Sequence, residues 1–431
     1  MHGVRPGRGR VLQAAVVAII ATLPPLLAGD ATPDSGLHPP DPNPALQRLK
    51  HLARLGVDRW HAAGFRGRGA KIAVLDTGFR GYKKHLGKAL PERITTRSFR
   101  GDRNLEAKDS QHGILCAEVL HALAPEADIL LANWEPDRSD QFLAAVRWAR
   151  EQGARILSCS VIMPSWSDGE GGGPVHDTLT RLLGDGTRPG DLLCFASAGN
   201  TAQRHWAGRF RPARDGWHEW SSGDVDNEVT PWGSDPISIE VCWSASADFD
   251  VLVLDAATGR EAGRSFAQAG VERHCAVVRF ETPTCRVYDV RLRQARGKPA
   301  SFHCVTLGGG LHHATAQSSV PFPADGPEVI AVGAVDSAGQ RVSYSSCGPA
   351  ASHHKPDLAA SVPFPSLWRP RPFSGTSAAA PQAAGLAALV CARNPDWTAR
   401  QVRDFLFHAA RDLGPPGPDD ETGYGLIELP R

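Results

Sequence analysis

Short apolar runs alternating with segments of helical spacing constrain this chain more than any other feature. Lys71-Ile72-Ala73-Val74-Leu75 has the unbroken apolar character of a strand covered on both faces, and Ile156 to Val161 and the run beginning at Leu192 read as further strands. Between them, Gln141 to Ala149 has helical apolar spacing, and Thr178 to Leu183 reads as another helix. Ahead of the first run, Leu49 to Arg68 is expected to form a helix and a turn, with Gly64, Gly67 and Gly69 leading into the strand. This alternation implies a parallel sheet with helices on both faces. With 431 residues, 42% of them hydrophobic and 22% charged, the chain is long enough for a large α/β core and a second, smaller module.

Polar residues stand where these elements begin and end. Asp76-Thr77-Gly78 follows the first strand, which puts a carboxylate at the strand's carboxyl end, the edge where open α/β sheets bind ligands. Asp109-Ser110-Gln111-His112-Gly113 opens the apolar stretch Ile114 to Leu120, so His112 lies at the mouth of a helix. Ser377, in Ser374-Gly375-Thr376-Ser377-Ala378-Ala379-Ala380-Pro381, opens a small-residue run, where free N–H groups and the helix dipole favour developing negative charge. Each has a plainer reading: Asp76 in a turn, His112 and Ser377 as helix caps, Asn200 as a turn residue after Gly199. Together an Asp, a His and a Ser can form a relay in which carboxylate orients imidazole and imidazole deprotonates hydroxyl.

On these residues the chain resembles the subtilisin-like (subtilase) serine proteases, in which the three groups run in the order Asp, His, Ser. Asp76-Thr77-Gly78 is similar to the family's Asp box, His112-Gly113 to its His box, and Gly375-Thr376-Ser377 with Ala379-Ala380-Pro381 to its Ser box. Ala124-Pro125-Glu126-Ala127, Ala198-Gly199-Asn200, Tyr344 to Pro349 and Lys355-Pro356-Asp357-Leu358 match further landmarks in the same order. The resemblance implies an α/β, three-layer fold with a mostly parallel sheet. It implies Ser377 as nucleophile, His112 as general base, Asp76 as its orienting carboxylate and Asn200 as oxyanion donor. It also aligns Ile156 to Ile162 with the strand that pairs with substrate backbone, marking Ser158, Cys159 and Ser160 as substrate-binding. Three departures stand out. Ile114-Leu115-Cys116-Ala117-Glu118 replaces the usual sequence behind the histidine, Ala378 and Gln382 replace a common Met and His, and Ile162 stands where glycine is usual.

Arg5, Arg8 and Arg10 precede an apolar run from Val11 to Ala28 broken by Pro24-Pro25, so residues 1–30 read as a cleavable secretory signal. Residues 31–48, rich in Pro and Asp, are expected to be a flexible leader. The expected location is secreted, extracellular or periplasmic. The 47 basic and 46 acidic residues leave a net charge of +1, which argues against nucleic acid and acidic membranes as partners. The expected partners are protein or peptide substrates, with no stable membrane association after signal cleavage and a monomeric state. No cofactor is expected for the chemistry.

About 177 residues separate Asn200 from Ser377, more than compact family members place there. Within residues 210–312 the runs Ile237 to Trp243, Asp250 to Leu254, Ala276 to Phe280 and Arg286 to Leu292 suggest an inserted antiparallel β-sandwich. Residues 49–209 and 313–431 then form the two parts of the catalytic domain. Asp248, Asp250 and Asp255 offer a structural calcium site, with a solvated turn as the plainer reading. If the insert recruits substrate, deleting about residues 212 to 310 should raise KM for large proteins only. Cys242, Cys275, Cys285 and Cys304 form an even set with three possible pairings, while Cys116, Cys159, Cys194, Cys347 and Cys391 read equally as core thiols or as bridges. Cys159 lacks an adjacent base, which disfavours a cysteine nucleophile. His121, His176, His205, His353 and His354 are expected on surfaces or loops. Two other functions fit the same residues: a binding protein on an inactive scaffold, and an ester hydrolase of the same geometry.

Overall fold

The computed structural model describes residues 43–233, 236–244, 246–269, 273–282, 286–350 and 353–430. The expected signal segment, most of the leader and Cys285 lie outside the described residues. The first helix, α1 (Pro44–Arg54), starts within the stretch expected to be a flexible leader and ahead of Leu49. Asn43 Oδ1 accepts the Ala45 N–H at 3.0 Å, and Pro44 occupies the first turn, where a missing N–H leaves no helical bond unmade. Arg48, His51 and Leu52 turn inward and dock the helix.

A short helix, α2 (Val57–Ala62), leads to β1 (Lys71–Leu75), β2 (Thr95–Ser98), α3 (His112–Leu123), β3 (Asp128–Asn133), α4 (Ser139–Glu151), β4 (Ile156–Cys159), α5 (Pro174–Leu183) and β5 (Leu193–Ser197). A stretch of antiparallel strands follows: β6 (His205–Arg209), β7 (Asn227–Pro231), β8 (Ile237–Cys242), β9 (Asp248–Asp255), β10 (Glu261–Ser265), β11 (Cys275–Phe280), β12 (Tyr288–Arg296), β13 (Ser301–Leu307) and β14 (Gly309–Leu311). The chain ends with β15 (Val329–Val335), β16 (Leu358–Ser361), α6 (Thr376–Arg393) and α7 (Ala399–Ala409).

The main sheet has seven strands in the order β16-β15-β5-β4-β1-β3-β2, and its pairs are parallel. Successive side chains point to opposite faces, so each strand supplies two cores. Ile72, Val74, Ile129, Leu131, Ile156 and Phe195 pack with α3 and α6 on one face. Ala73, Leu75, Leu130, Ala132, Leu157 and Ala196 pack with α4 and α5 on the other. This double burial is why the strands read as continuous apolar runs. The result is the three-layer, parallel-sheet α/β architecture expected from the resemblance.

The antiparallel strands form a five-stranded sheet, β10-β9-β12-β7-β14, and a four-stranded sheet, β11-β8-β13-β6. Their facing side chains, among them Val229, Ile239, Val241, Phe249, Val253, Val278, Val290 and Phe302, make a separate core. The four-stranded sheet takes its edge strand from His205–Arg209, before the boundary expected at residue 210, because β6 pairs with β13 far along the chain. Asp248, Asp250 and Asp255 are neither solvated nor gathered for a cation. Asp248 binds Arg273 and Arg296, Asp250 binds Arg293 and Asp255 binds Arg286, so arginines already match their charge. Cys242 and Cys275 lie opposite each other across β8 and β11 as free thiols.

Two histidines expected at the surface are buried. His176 Nε2 meets Asp325 Oδ1 at 2.8 Å, and His205 Nε2 meets His303 Nδ1 at 3.2 Å. Their partners lie over ninety residues away in sequence, which local spacing cannot reveal.

Candidate active site

The chain leaves β1 and reaches its neighbours β3 and β4 on opposite sides, so β1 and β4 border the point where strand order reverses. Asp76 follows β1, Ser160 follows β4 and Asn200 lies just beyond β5, so three polar residues stand at the carboxyl ends of adjacent strands. Helices supply the others: His112 is the first residue of α3, and Ser377 lies in the first turn of α6.

Asp76 is fully buried. Its Oδ1 accepts the Gly78 N–H at 2.9 Å, and its Oδ2 lies 2.7 Å from His112 Nδ1. A carboxylate only accepts, so in the neutral ring the proton sits on Nδ1 and the lone pair on Nε2. Burial, the largest single influence, pulls the His112 pKa down, but the Asp76 carboxylate and the neighbouring Cys116 together outweigh it and hold the imidazole well above its ordinary 6.5. Phe373 meets the ring edge-on with centroids 5.6 Å apart, and the Gly113 N–H donates to Gly78 O at 2.7 Å, which ties the start of α3 to the turn after β1. Gly113 is required here because a Cβ would stand 2.3 Å from the Phe79 ring.

Around Ser377 the sequence explains the geometry. Pro381 has no N–H, so the Ser377 carbonyl lacks its helical donor four residues on. Ser160 Oγ donates to that carbonyl at 3.1 Å, and Ser377 Oγ donates back to Ser160 O at 3.4 Å. Gly375 caps the helix at φ 83°, a conformation that suits glycine, and an added Cβ would press on Asn200 Nδ2 at 3.0 Å. Asn200 Oδ1 accepts both the Thr376 N–H and the Thr376 hydroxyl at 3.0 Å. The backbone donor fixes the amide's orientation, leaving Nδ2 as its donor end. Thr376 Oγ1 in turn accepts the Gly199 N–H at 3.2 Å.

The structure thus brings Asp76, His112, Ser160, Asn200 and Ser377 to one edge. It separates Ser158 and Cys159 from that group. Both are buried in β4 with partners on either side, Val74 and Phe195 for Ser158 and Leu75 and Ala196 for Cys159, so neither offers a free backbone edge to a substrate. Unpaired main chain begins at Ser160. The Cys159 thiol is pushed well upward by burial, so it stays protonated.

Several contacts at the site escape the sequence. Cys116 Sγ lies 4.0 Å from His112 Nδ1 and 3.8 Å from Ser377 O, one helical turn behind the histidine, a spacing that could have flagged it. Asp76, His112 and Cys116 place donor atoms within 4.8 Å of one another. Nδ1 holds the proton that Asp76 accepts and burial raises the Cys116 thiol, so the trio is already a hydrogen-bonded set. Gln382, in place of a common His, is fully satisfied: Nε2 donates to Ala378 O and Ser361 O, and Oε1 meets His51 Nε2 at 2.7 Å.

The chain is 43% identical over 112 residues to a subtilisin of Bacillus pumilus, covering 26% of this chain and 39% of that one. It is 42% identical over 112 residues to subtilisin E of Bacillus subtilis (strain 168), covering 26% and 28%. The matched region therefore spans less than half of these relatives. Among solved structures, the Clostridium perfringens CspB protease superposes with a TM-score of 0.64 at 16% identity, covering 88% of this chain and 95% of that one, a likeness of fold. The subtilase family model matches residues 67–223 and 289–425, which hold all five of the residues gathered at the sheet edge. These two segments make up more than half of the sequence, and the chain belongs to the subtilase family.

Proposed function

We propose that the chain is a secreted serine endopeptidase that cuts peptide bonds through an acyl-enzyme intermediate. The observation that carries this reading is the buried Asp76–His112 pair, 2.7 Å apart, at the edge that also holds Ser377 and Asn200. Ser377 Oγ exchanges its long contact with Ser160 O for one with His112 Nε2, loses its proton there and attacks the carbonyl. His112 then gives the proton to the leaving amine, and water repeats the cycle on the ester. Asp76 holds the tautomer and stabilises the imidazolium. The Asn200 Nδ2 donor and the Ser377 N–H receive the oxyanion, so Asn200→Ala is expected to cost about 3 kcal/mol of transition-state stabilisation without unfolding the protein. This chemistry needs no cofactor.

Secretion is supported by the basic and apolar N-terminal residues. Among the described residues no helix is long and apolar enough to cross a membrane. A fluorophosphonate probe is expected to label the wild-type protein and not Ser377→Ala. Lack of labelling in folded wild-type protein would overturn the enzymatic reading in favour of a binding protein. A peptide library then separates peptidase from esterase and reveals side-chain preference.

A further inference from the structure

Four residues beyond Asn200 lies a buried cation with no anion beside it among the described residues. Arg204 is 2% exposed, and its Nη1 has no hydrogen-bond partner. No carboxylate pairs with it among the described residues. Its Nε donates to Asn200 O at 2.9 Å, its own carbonyl accepts the Thr306 N–H at 2.9 Å, and its guanidinium carbon lies 4.9 Å from the Trp232 ring centroid. Burial lowers its pKa to about 10, so it stays charged at neutral pH, while the adjacent His205, held at about 3 chiefly by burial, is neutral.

An unmatched charge in a protein interior is expensive, and buried arginines are ordinarily paired with carboxylates. The Trp232 face offsets part of that cost and supplies no net negative charge. The hydrogen bonds converge on Asn200: Arg204 Nε donates to its main-chain O, and the N–H of Thr376, the residue before Ser377, donates to its Oδ1. An anion does form beside Asn200 during the reaction, on the oxygen that Asn200 Nδ2 and the Ser377 N–H would receive.

We propose that Arg204 is a positioning residue of the oxyanion site: it fixes the Asn200 main chain, and its unmatched charge finds its counter-charge in the tetrahedral intermediate. A fixed charge answered only in the transition state raises kcat without tightening ground-state binding. Thr306 of β13 holds the Arg204 main chain and Trp232, directly after β7, covers one face of the buried guanidinium, so the sandwich helps to fix the residue in place. The proposal rests on the roles given above to Ser377 and Asn200.

The test uses the full chain with Arg204→Met and Arg204→Lys. A peptidyl boronate adds to the serine as an anionic tetrahedral adduct, and a ketomethylene peptide of the same sequence binds as a ground-state mimic. Arg204→Met is expected to lower kcat and boronate affinity by about tenfold, leaving KM and ketomethylene affinity within about twofold. Arg204→Lys, which keeps the charge, is expected to recover most of the boronate affinity. The melting temperature of Arg204→Met should rise, because an unpaired buried charge has been removed, a direction a purely structural role would not give. Equal losses for boronate and ketomethylene, or no loss in either, overturn the proposal. If Arg204→Met fails to fold, Arg204→Lys decides by the same ratio. Failure of the wild-type protein to take a fluorophosphonate overturns the Ser377 reading itself, whereas a labelled wild type with unchanged Arg204 variants overturns the role of Arg204 alone.

Discussion

At the scale of single residues, His112 carries the clearest consequence. Asp76 lifts its pKa against the effect of burial, and a general base acts only when neutral. The acid limb of kcat/KM should therefore lie above 6.5, with activity gained as pH rises through it. In Asp76→Asn the larger of the two raising influences is gone, so the limb should move to lower pH and kcat should fall by about 10⁴-fold. The same shift contributes to folding with a definite sign. Stability from the protonated histidine is fully present below its unfolded pKa and is lost as pH rises through the higher folded value. Thermal melts of wild type and Asp76→Asn should therefore diverge at low pH and converge above the limb; a constant difference across pH would count against the coupling. Asp76, His112, Asn200 and Ser377 were legible in the sequence because each stands at the end of a regular element within motifs that resemble the subtilase boxes and follow their order. Phe373 and Arg204 were not, since their contacts depend on how distant segments pack.

At the scale of elements, α1 is tied to α3 by charge. Arg48 Nη2 pairs with Glu118 Oε1, and Arg48 Nε donates to Pro365 O at 3.0 Å. Glu118 also accepts from Ser366 Oγ and the Leu367 N–H, each at 2.8 Å. Removing one partner of such a pair leaves the other charged and buried. Arg48→Ala should then cost about 3 kcal/mol or more in a denaturation experiment, while Arg48→Met combined with Glu118→Leu recovers much of the loss. A loss below 1 kcal/mol in the single variant would mean that α1 is not docked as described. The strands and the helices that open at His112 and near Ser377 could be read because burial on both faces leaves apolar runs. The start of α1 was hidden by its composition: Pro and Asp favour a flexible chain, yet Asn-Pro is also a good helix opening.

At the scale of the molecule, the sandwich is joined to the substrate edge rather than hung beside it. Ile237, Ile239 and Val241 of β8 face the sandwich core, and the alternate residues Ser238, Glu240 and Cys242 are buried on the opposite face. That face meets the segment following β4: Glu240 Oε2 accepts the Ser165 N–H at 2.8 Å, Cys242 Sγ approaches Pro164 O at 3.3 Å and His303 Nε2 meets Glu170 Oε1 at 3.0 Å. The same segment contains Ser160 and Ile162. A module that only recruited large substrates would leave small-peptide kinetics alone, but one that holds this segment in place cannot. Glu240→Ala leaves the Ser165 N–H without its acceptor, which should cost about 1–3 kcal/mol of stability. It should also raise KM for short peptides and whole proteins alike and speed hydrogen exchange over residues 160–173. If KM rises for proteins only, and exchange over that segment is unchanged, the sandwich acts on substrates at a distance from the cleft and the contacts at Glu240 serve stability alone.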